Sequence, residues 1–250
     1  MSTLIIRAPG ALTSPIPGTP MIPDLERGML FNFDADLIAL NDADPVLQWR
    51  NSGGSWGALA DLLFASADRP KLMKNGVSSG HSSVKFTTSP ATFLRTAQST
   101  PISPPANTPI TVSMLVKFSS AADGSTVQNI FSGRAIDKYL SARRNASGRV
   151  SMGANGADQI VSAGIAPVGA WFVVTCIFDG GKSKMFFGGE KISGTTTQTD
   201  WDGIVLGANA IVANNMNGEV AAFRAYSRSL SDVEVALLRE QLLTSRGLSA

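Results

Sequence analysis

The sequence is poor in the residues on which many enzymes and nucleic-acid proteins rely. It has one histidine, His81, and one cysteine, Cys176, so neither an internal disulfide nor a Cys/His zinc site can be built within the chain. Lys and Arg number 21 against 19 Asp and Glu, a net charge of +2. That is too little for binding that rests on neutralising phosphates. Charged residues make up 16% of the chain, where an ordinary soluble domain has roughly 25%. Such sparse charge excludes a disordered tail or a long charged coiled coil. No apolar run approaches the roughly 20 residues of a membrane helix. Residues 1–9 lack the basic segment and long apolar stretch of a secretion signal. With the lone cysteine, this predicts folding in a reducing cytoplasm.

What the chain does have begins with proline. Pro9, Pro15, Pro17, Pro20 and Pro23 are five of its 13 prolines, all within the first 27 residues. Proline fixes φ and removes an amide donor, so residues 1–27 read as an extended arm without a core of its own. Such an arm docks on a neighbouring copy or lies back on its own domain. From Gly28 onward the pattern has period two, punctuated by turn residues, the signature of an antiparallel sandwich or barrel. In Ile110–Phe118 the side chains of Ile110, Val112, Met114, Val116 and Phe118 share one face, predicted to be core, and Thr111, Ser113 and Lys117 share the other. Further strands are expected at 29–33, 83–87, 127–131, 139–143, 149–153, 159–163, 184–187, 204–206 and 219–226. Residues 171–178 are almost wholly apolar and read as a central strand covered on both faces. Gly180-Gly181-Lys182-Ser183 has Cys176 where the first glycine of a phosphate loop belongs, so it reads as a hairpin turn.

One helix is expected, over 231–246. Ser231-Asp232-Val233-Glu234 has capping-box spacing, Leu230 and Val235 sit at staple positions, and Gly247 can terminate it. The proline-rich stretch 101–109 reads as a loop inside one domain, 28–250, because 28–100 shows too few strands to close a separate core.

Four stretches resemble the concanavalin A-like lectin/glucanase superfamily in its laminin-G-like form, of the kind found in bacteriophage and bacterial surface proteins. They are Val46–Gly54 with Arg69–Leu72 and Ser83–Phe86; Pro109–Phe118 with Ile130–Ser132; Gly169–Thr175 with Asp179-Gly180 and Met185–Gly189; and Met216–Glu234. The resemblance implies an all-β, two-sheet antiparallel jelly-roll sandwich with one C-terminal helix. It also implies binding or virion-building roles more often than catalysis. Glucanases of the superfamily carry E-x-D-x-x-E on one strand. Here the five glutamates, Glu26, Glu190, Glu219, Glu234 and Glu240, are followed two positions on by Gly28, Ile192, Ala221, Ala236 and Leu242. The paired carboxylates of that chemistry are missing, and no enzyme is expected.

The candidate contacts for a glycan or partner are Trp56 and Trp201, each equally readable as a half-buried core tryptophan. Beside them stands a basic patch, Arg134, Lys138, Arg143, Arg144 and Arg149 against Asp137. It suits an acidic glycan or partner, or is a solvated strand edge. His81 lies in a Gly-Ser turn and Cys176 in the central strand, where a buried hydrophobe is expected. No cofactor is expected. The resemblance leaves calcium as the metal to weigh, through Asp34, Asp36, Asp42 and Asp44, although the spacing is not that of a calcium loop. The functional expectation is a virion structural subunit, a capsid decoration or tail-associated protein made in the host bacterial cytoplasm. It would assemble as a homo-oligomer through its arm and dock on the major capsid or tail protein. The alternative is a carbohydrate-binding receptor module for host surface glycans. Neither nucleic acid nor membrane insertion is expected.

Overall fold

The computed structural model describes residues 23–57, 61–64, 68–96, 108–119, 126–134, 140–197 and 202–250. Pro9, Pro15, Pro17, Pro20, Asp137, Lys138 and Trp201 lie outside them.

Sixteen strands follow in chain order: β1 (Met29–Asp34), β2 (Gln48–Trp49), β3 (Leu62–Phe64), β4 (Lys71–Ser78), β5 (His81–Phe86), β6 (Leu94–Thr96), β7 (Ile110–Phe118) and β8 (Gln128–Ser132). Then come β9 (Leu140–Arg144), β10 (Arg149–Ala154), β11 (Ile160–Ile165), β12 (Phe172–Phe178), β13 (Ser183–Phe187), β14 (Glu190–Gly194), β15 (Val205–Leu206) and β16 (Gly218–Tyr226). The first sheet runs β14-β13-β12-β7-β16-β5-β4, with β1 also paired to β16; the second runs β11-β10-β9-β8-β15-β6-β3-β2. The named strand pairings are antiparallel, as expected for a jelly-roll sandwich. The inner faces of the two sheets enclose one continuous core, in which Phe31, Phe33, Phe86, Phe118, Phe131 and Phe223 are buried with Trp49.

Helix α1 (Asp232–Thr244) lies on the outer face of the first sheet. Its start is the capping box read from the sequence: Ser231 Oγ accepts from the Glu234 amide, and Glu234 Oε2 accepts from the Ser231 amide at 2.8 Å. Its end is closed by the amides of Gly247 and Leu248 donating to Thr244 O and Leu243 O, with Gly247 at φ +68°. That pair of bonds is a Schellman closure, and it requires the left-handed residue that glycine supplies. Val235, Leu238, Leu242 and Leu243 pack against Leu115, Val173, Ile177, Ala221 and Ala222 of the sheet. This explains why β12, between β7 and β13, is buried at every position.

The same helix corrects the expectation for β7. Its alternation is as read, but both faces are covered: Thr111 and Ser113 are as buried as Val112 and Met114. The hydroxyls remain satisfied because Thr111 Oγ1 donates to Arg228 O at 2.7 Å and Ser113 Oγ lies 2.8 Å from Thr175 Oγ1. The inner end of the proline-rich segment is tied to the domain. Residues 25–28 form a turn, Leu25 packs with the helix cluster, and Arg228 grips Arg27 O and Asp24 O. Pro23 is half-buried beside this turn.

Candidate functional site

The outer face of the first sheet is divided in two. The helix cluster covers β12, β7 and part of β16 and reaches Val77 of β4, while Lys71 and Met73 of β4 and Lys85 of β5 keep exposed surface. The register aligns a row of outward side chains across the sheet: Lys71 opposite Lys85, Lys85 opposite Glu219, and Glu219 opposite Lys117. At the helix side of this row the charges are mutually satisfied. Lys117 Nζ sits 2.8 Å from Glu219 Oε1 and 5.0 Å from the centre of the Trp171 ring. Ser83 Oγ donates to Glu219 Oε2 at 2.5 Å. Above them β4 loses register between Met73 and Ser78 and folds Gly76 over the group, so that its carbonyl accepts from Trp171 Nε1 and Lys117 Nζ.

The open end of the row is a cleft of about 670 Å³, lined by Ala43, Pro45, Asp68, Arg69, Lys71, Met73, Lys85, Thr87, Pro90 and Thr92. A pocket of a few hundred cubic ångströms accommodates a small ligand such as one or two sugar rings. Met73, Pro45 and Pro90 supply apolar surface; Thr87 Oγ1 and the cations supply polar contacts. Thr87 is oriented by donating to Pro90 O at 2.6 Å, and its amide donates to Thr92 Oγ1. Neither Lys71 nor Lys85 makes an ion pair among the described residues.

The residues singled out in the sequence lie elsewhere. Trp56 is half-buried against Phe31, with ring centres 5.6 Å apart, and packs on the core. The basic patch is not a united surface. Arg144 is buried, beneath the second sheet, with its guanidinium over the Phe118 ring at 5.6 Å. Arg143 points to the other face and pairs with Asp158 at 2.7 Å, also donating to Gly156 O. Arg134 lies 3.5 Å from Asp202. Each of these three is thus committed within the domain, and Arg149 alone among the described members is exposed. The four aspartates serve separate structural tasks. Asp34 caps the turn that follows β1 and pairs with Arg246 at 2.8 Å. Asp36 binds His81 Nδ1 at 2.9 Å and the Ser82 amide. Asp42 accepts from Lys74 N and Asp44 from Asn41 N. Among the described residues no three acidic, histidine or cysteine side chains converge as a metal cage. Cys176 is fully buried, and burial pushes its thiol up, out of the nucleophilic range.

Reading the sequence for site residues missed Lys71, Lys85 and Arg69. The model of the Concanavalin A-like lectin/glucanases superfamily matches residues 72–236 of the sequence. The chain belongs to that superfamily. No curated protein matches it significantly in sequence. Among solved structures, this superfamily member is similar to domain 4 of AbnA, a GH43 extracellular arabinanase from Geobacillus stearothermophilus in complex with arabinotriose. The TM-score is 0.63 at 16% identity, over 86% of this chain and 99% of that one. It is also similar to Trypanosoma rangeli sialidase, with TM-score 0.56 and 14% identity, over 90% of this chain but only 36% of the sialidase. The binding domain of botulinum neurotoxin serotype D gives TM-score 0.57 at 12% identity, over 86% of this chain and 51% of that one. These likenesses establish a lectin-like β-sandwich.

Proposed function

We propose that the chain is a non-enzymatic carbohydrate-binding module whose ligand occupies the β4–β5 cleft. The observation that carries this reading is the cleft itself, an open pocket with apolar floor, an oriented hydroxyl and the two lysines Lys71 and Lys85, beside the part of the first sheet that the helix covers. Superfamily membership favours binding, and the whole-length likeness to an arabinanase domain captured with arabinotriose supports a sugar as ligand. Hydrolysis is disfavoured because Asp68 is the only carboxylate lining the cleft among the described residues, and glycoside cleavage uses two.

A glycan array followed by calorimetric titration tests it. The chain binds at least one glycan class, and Met73→Trp, which fills the cleft, abolishes binding while the melting temperature stays within a few degrees. Absence of binding across the array, or binding indifferent to Met73→Trp, refutes the reading. Repeating the titration with calcium and with chelator settles whether an ion takes part.

A second reading, a bacteriophage virion subunit, is favoured by the five prolines of residues 1–27 and by the clamp that Arg228 places on Asp24 and Arg27. In it, the proline-rich segment anchors each copy to its neighbours or to the major capsid or tail protein, and the sandwich is displayed outward. Light scattering of the full chain beside a version lacking residues 1–22 tests this. An oligomer that becomes a folded monomer on truncation supports it, and two identical monomers remove the self-assembly role.

A further inference from the structure

The row Lys71, Lys85, Glu219, Lys117 contains one acid for three cations, and the acid is spoken for. Glu219 is 8% exposed, its Oε1 is held by Lys117 and its Oε2 by Ser83. Lys85 stands opposite Glu219 in the ladder, and the ion pair of that carboxylate is made with Lys117 instead. Of the nearby acids, Asp42 and Asp44 each accept a backbone amide, from Lys74 and Asn41, and Asp68 lines the cleft together with Arg69, so the cleft holds three cations to one acid. Lys71 and Lys85 are Cα partners across the ladder, and side chains directly opposed on one face start only about 5 Å apart at Cβ. Two like charges so placed oppose folding. An anion seated between them turns that repulsion into two attractions.

We infer that the ligand of the β4–β5 cleft is an acidic glycan, whose carboxylate or sulfate is held between the Lys71 and Lys85 ammoniums while its ring lies on Met73, Pro45 and Pro90. This rests on the reading of the cleft as a glycan site. Ammonium groups are compact point charges without the planar fork of a guanidinium, so the pair accepts either acid. The sugar ring and its reach to Thr87 supply the rest of the selectivity.

Titrations with four probes separate the cases: polygalacturonate, its methyl ester, dextran sulfate and duplex DNA. The acid form of the galacturonan, or dextran sulfate, binds at least about tenfold more tightly than the uncharged ester, the scale of one charge-assisted hydrogen bond. Raising the salt from about 50 to 200 mM shortens the screening length and weakens it. Lys71→Met and Lys85→Met each lower affinity about tenfold, while Lys71→Arg retains it and Lys182→Met, the same charge change on a distant turn, leaves it alone. Removing either lysine leaves the melting temperature equal or higher, since a repulsion is relieved; a lysine kept for structure gives the opposite sign. If the ester binds as well as the acid and the lysine variants bind normally, the acidic-ligand inference falls and the glycan reading stands. If only neutral glycans of the array bind, the inference falls likewise. DNA binding as tightly as the acidic glycans overturns it in favour of unspecific charge attraction, and no binding to any glycan removes both readings.

Discussion

Replacing Gly76 by alanine tests whether the fold of β4 over the first sheet is as tightly coupled to the buried polar group as the distances imply. A Cβ at this position would stand 2.0 Å from Ser83 Oγ, 3.0 Å from Glu219 Oε2 and 3.0 Å from Met73 Cβ. The hydroxyl has to leave, and with it goes the 2.5 Å bond that Ser83 donates to Glu219. Losing a hydrogen bond to a charged acceptor costs about 1.5–3 kcal/mol. Crowding of Met73 and the carboxylate adds about 1 kcal/mol. The sum, about 2.5–4 kcal/mol, corresponds to a fall of roughly 5–16 °C in melting temperature for a domain of this size. Calorimetry on the single and double variants with Ser83→Ala closes a thermodynamic cycle. Ser83→Ala by itself leaves Glu219 Oε2 without its donor and costs about 1–3 kcal/mol. In that background the obstructing oxygen is gone, so Gly76→Ala costs little beyond the crowding, and the coupling between the sites exceeds about 1 kcal/mol. Additive penalties, or a Gly76→Ala protein as stable as the parent, refute the reasoning.

Three further outcomes follow from the packing and the charges. Leu238→Ala, in the fully buried layer between helix and sheet, lowers stability to urea by about 2–5 kcal/mol; a change below 1 kcal/mol means the helix is not anchored through that layer. The Arg228 guanidinium, 2.7 Å from Glu234, together with the Ser231 amide and hydroxyl, holds the Glu234 carboxyl down to about 2 from an ordinary 4.5. Its contribution is therefore complete above pH 4.5 and is lost as pH falls toward 2, so Glu234→Gln flattens the acid limb of a stability profile, and Ser231→Ala costs about 1 kcal/mol at neutral pH. Cys176 stays unmodified by a thiol reagent in the folded chain and reacts at one equivalent in guanidinium; modification without unfolding contradicts its burial.

The parts of the fold legible in the sequence are those where one local rule dominates. β7 and β12 are long enough for their apolar periodicity to stand out, and Ser231–Glu234 carries the helix start within four residues. Of the six strands of residues 29–96, β1 and β5 were expected at 29–33 and 83–87, and the other four were harder for two reasons. β2, β3 and β6 span two or three residues each, too short to show alternation, and they exist because neighbouring strands impose them. β4 contains Asn75 and Gly76, which read as turn residues, and Asn75 does adopt φ +58°. The candidate cleft was hidden by the same irregularity. Counting outward from the hairpin, where Ser78 faces His81, would set Lys85 opposite Lys74. The slip between Met73 and Ser78 brings Lys71 there instead, and no local pattern announces it. The dispersal of the basic patch was hidden for the complementary reason. Arg143 and Arg144 are adjacent, so a strand sends them to opposite faces, and a count of charges along the chain cannot see that.

The slip in β4 also bears on how copies of this protein can meet. β4 is the rim of the first sheet, and a straight rim strand would present its unpaired amides and carbonyls as a template for a strand from another molecule. Here the line is bent at Asn75 and Gly76, and the inward carbonyl of Gly76 is already occupied by Trp171 and Lys117. The opposite rim, β14, carries Glu190 and Lys191 in the open, charges that a docking strand would have to desolvate. Both rims of this sheet thus resist being lengthened, which guards a β-rich chain against fibrous growth.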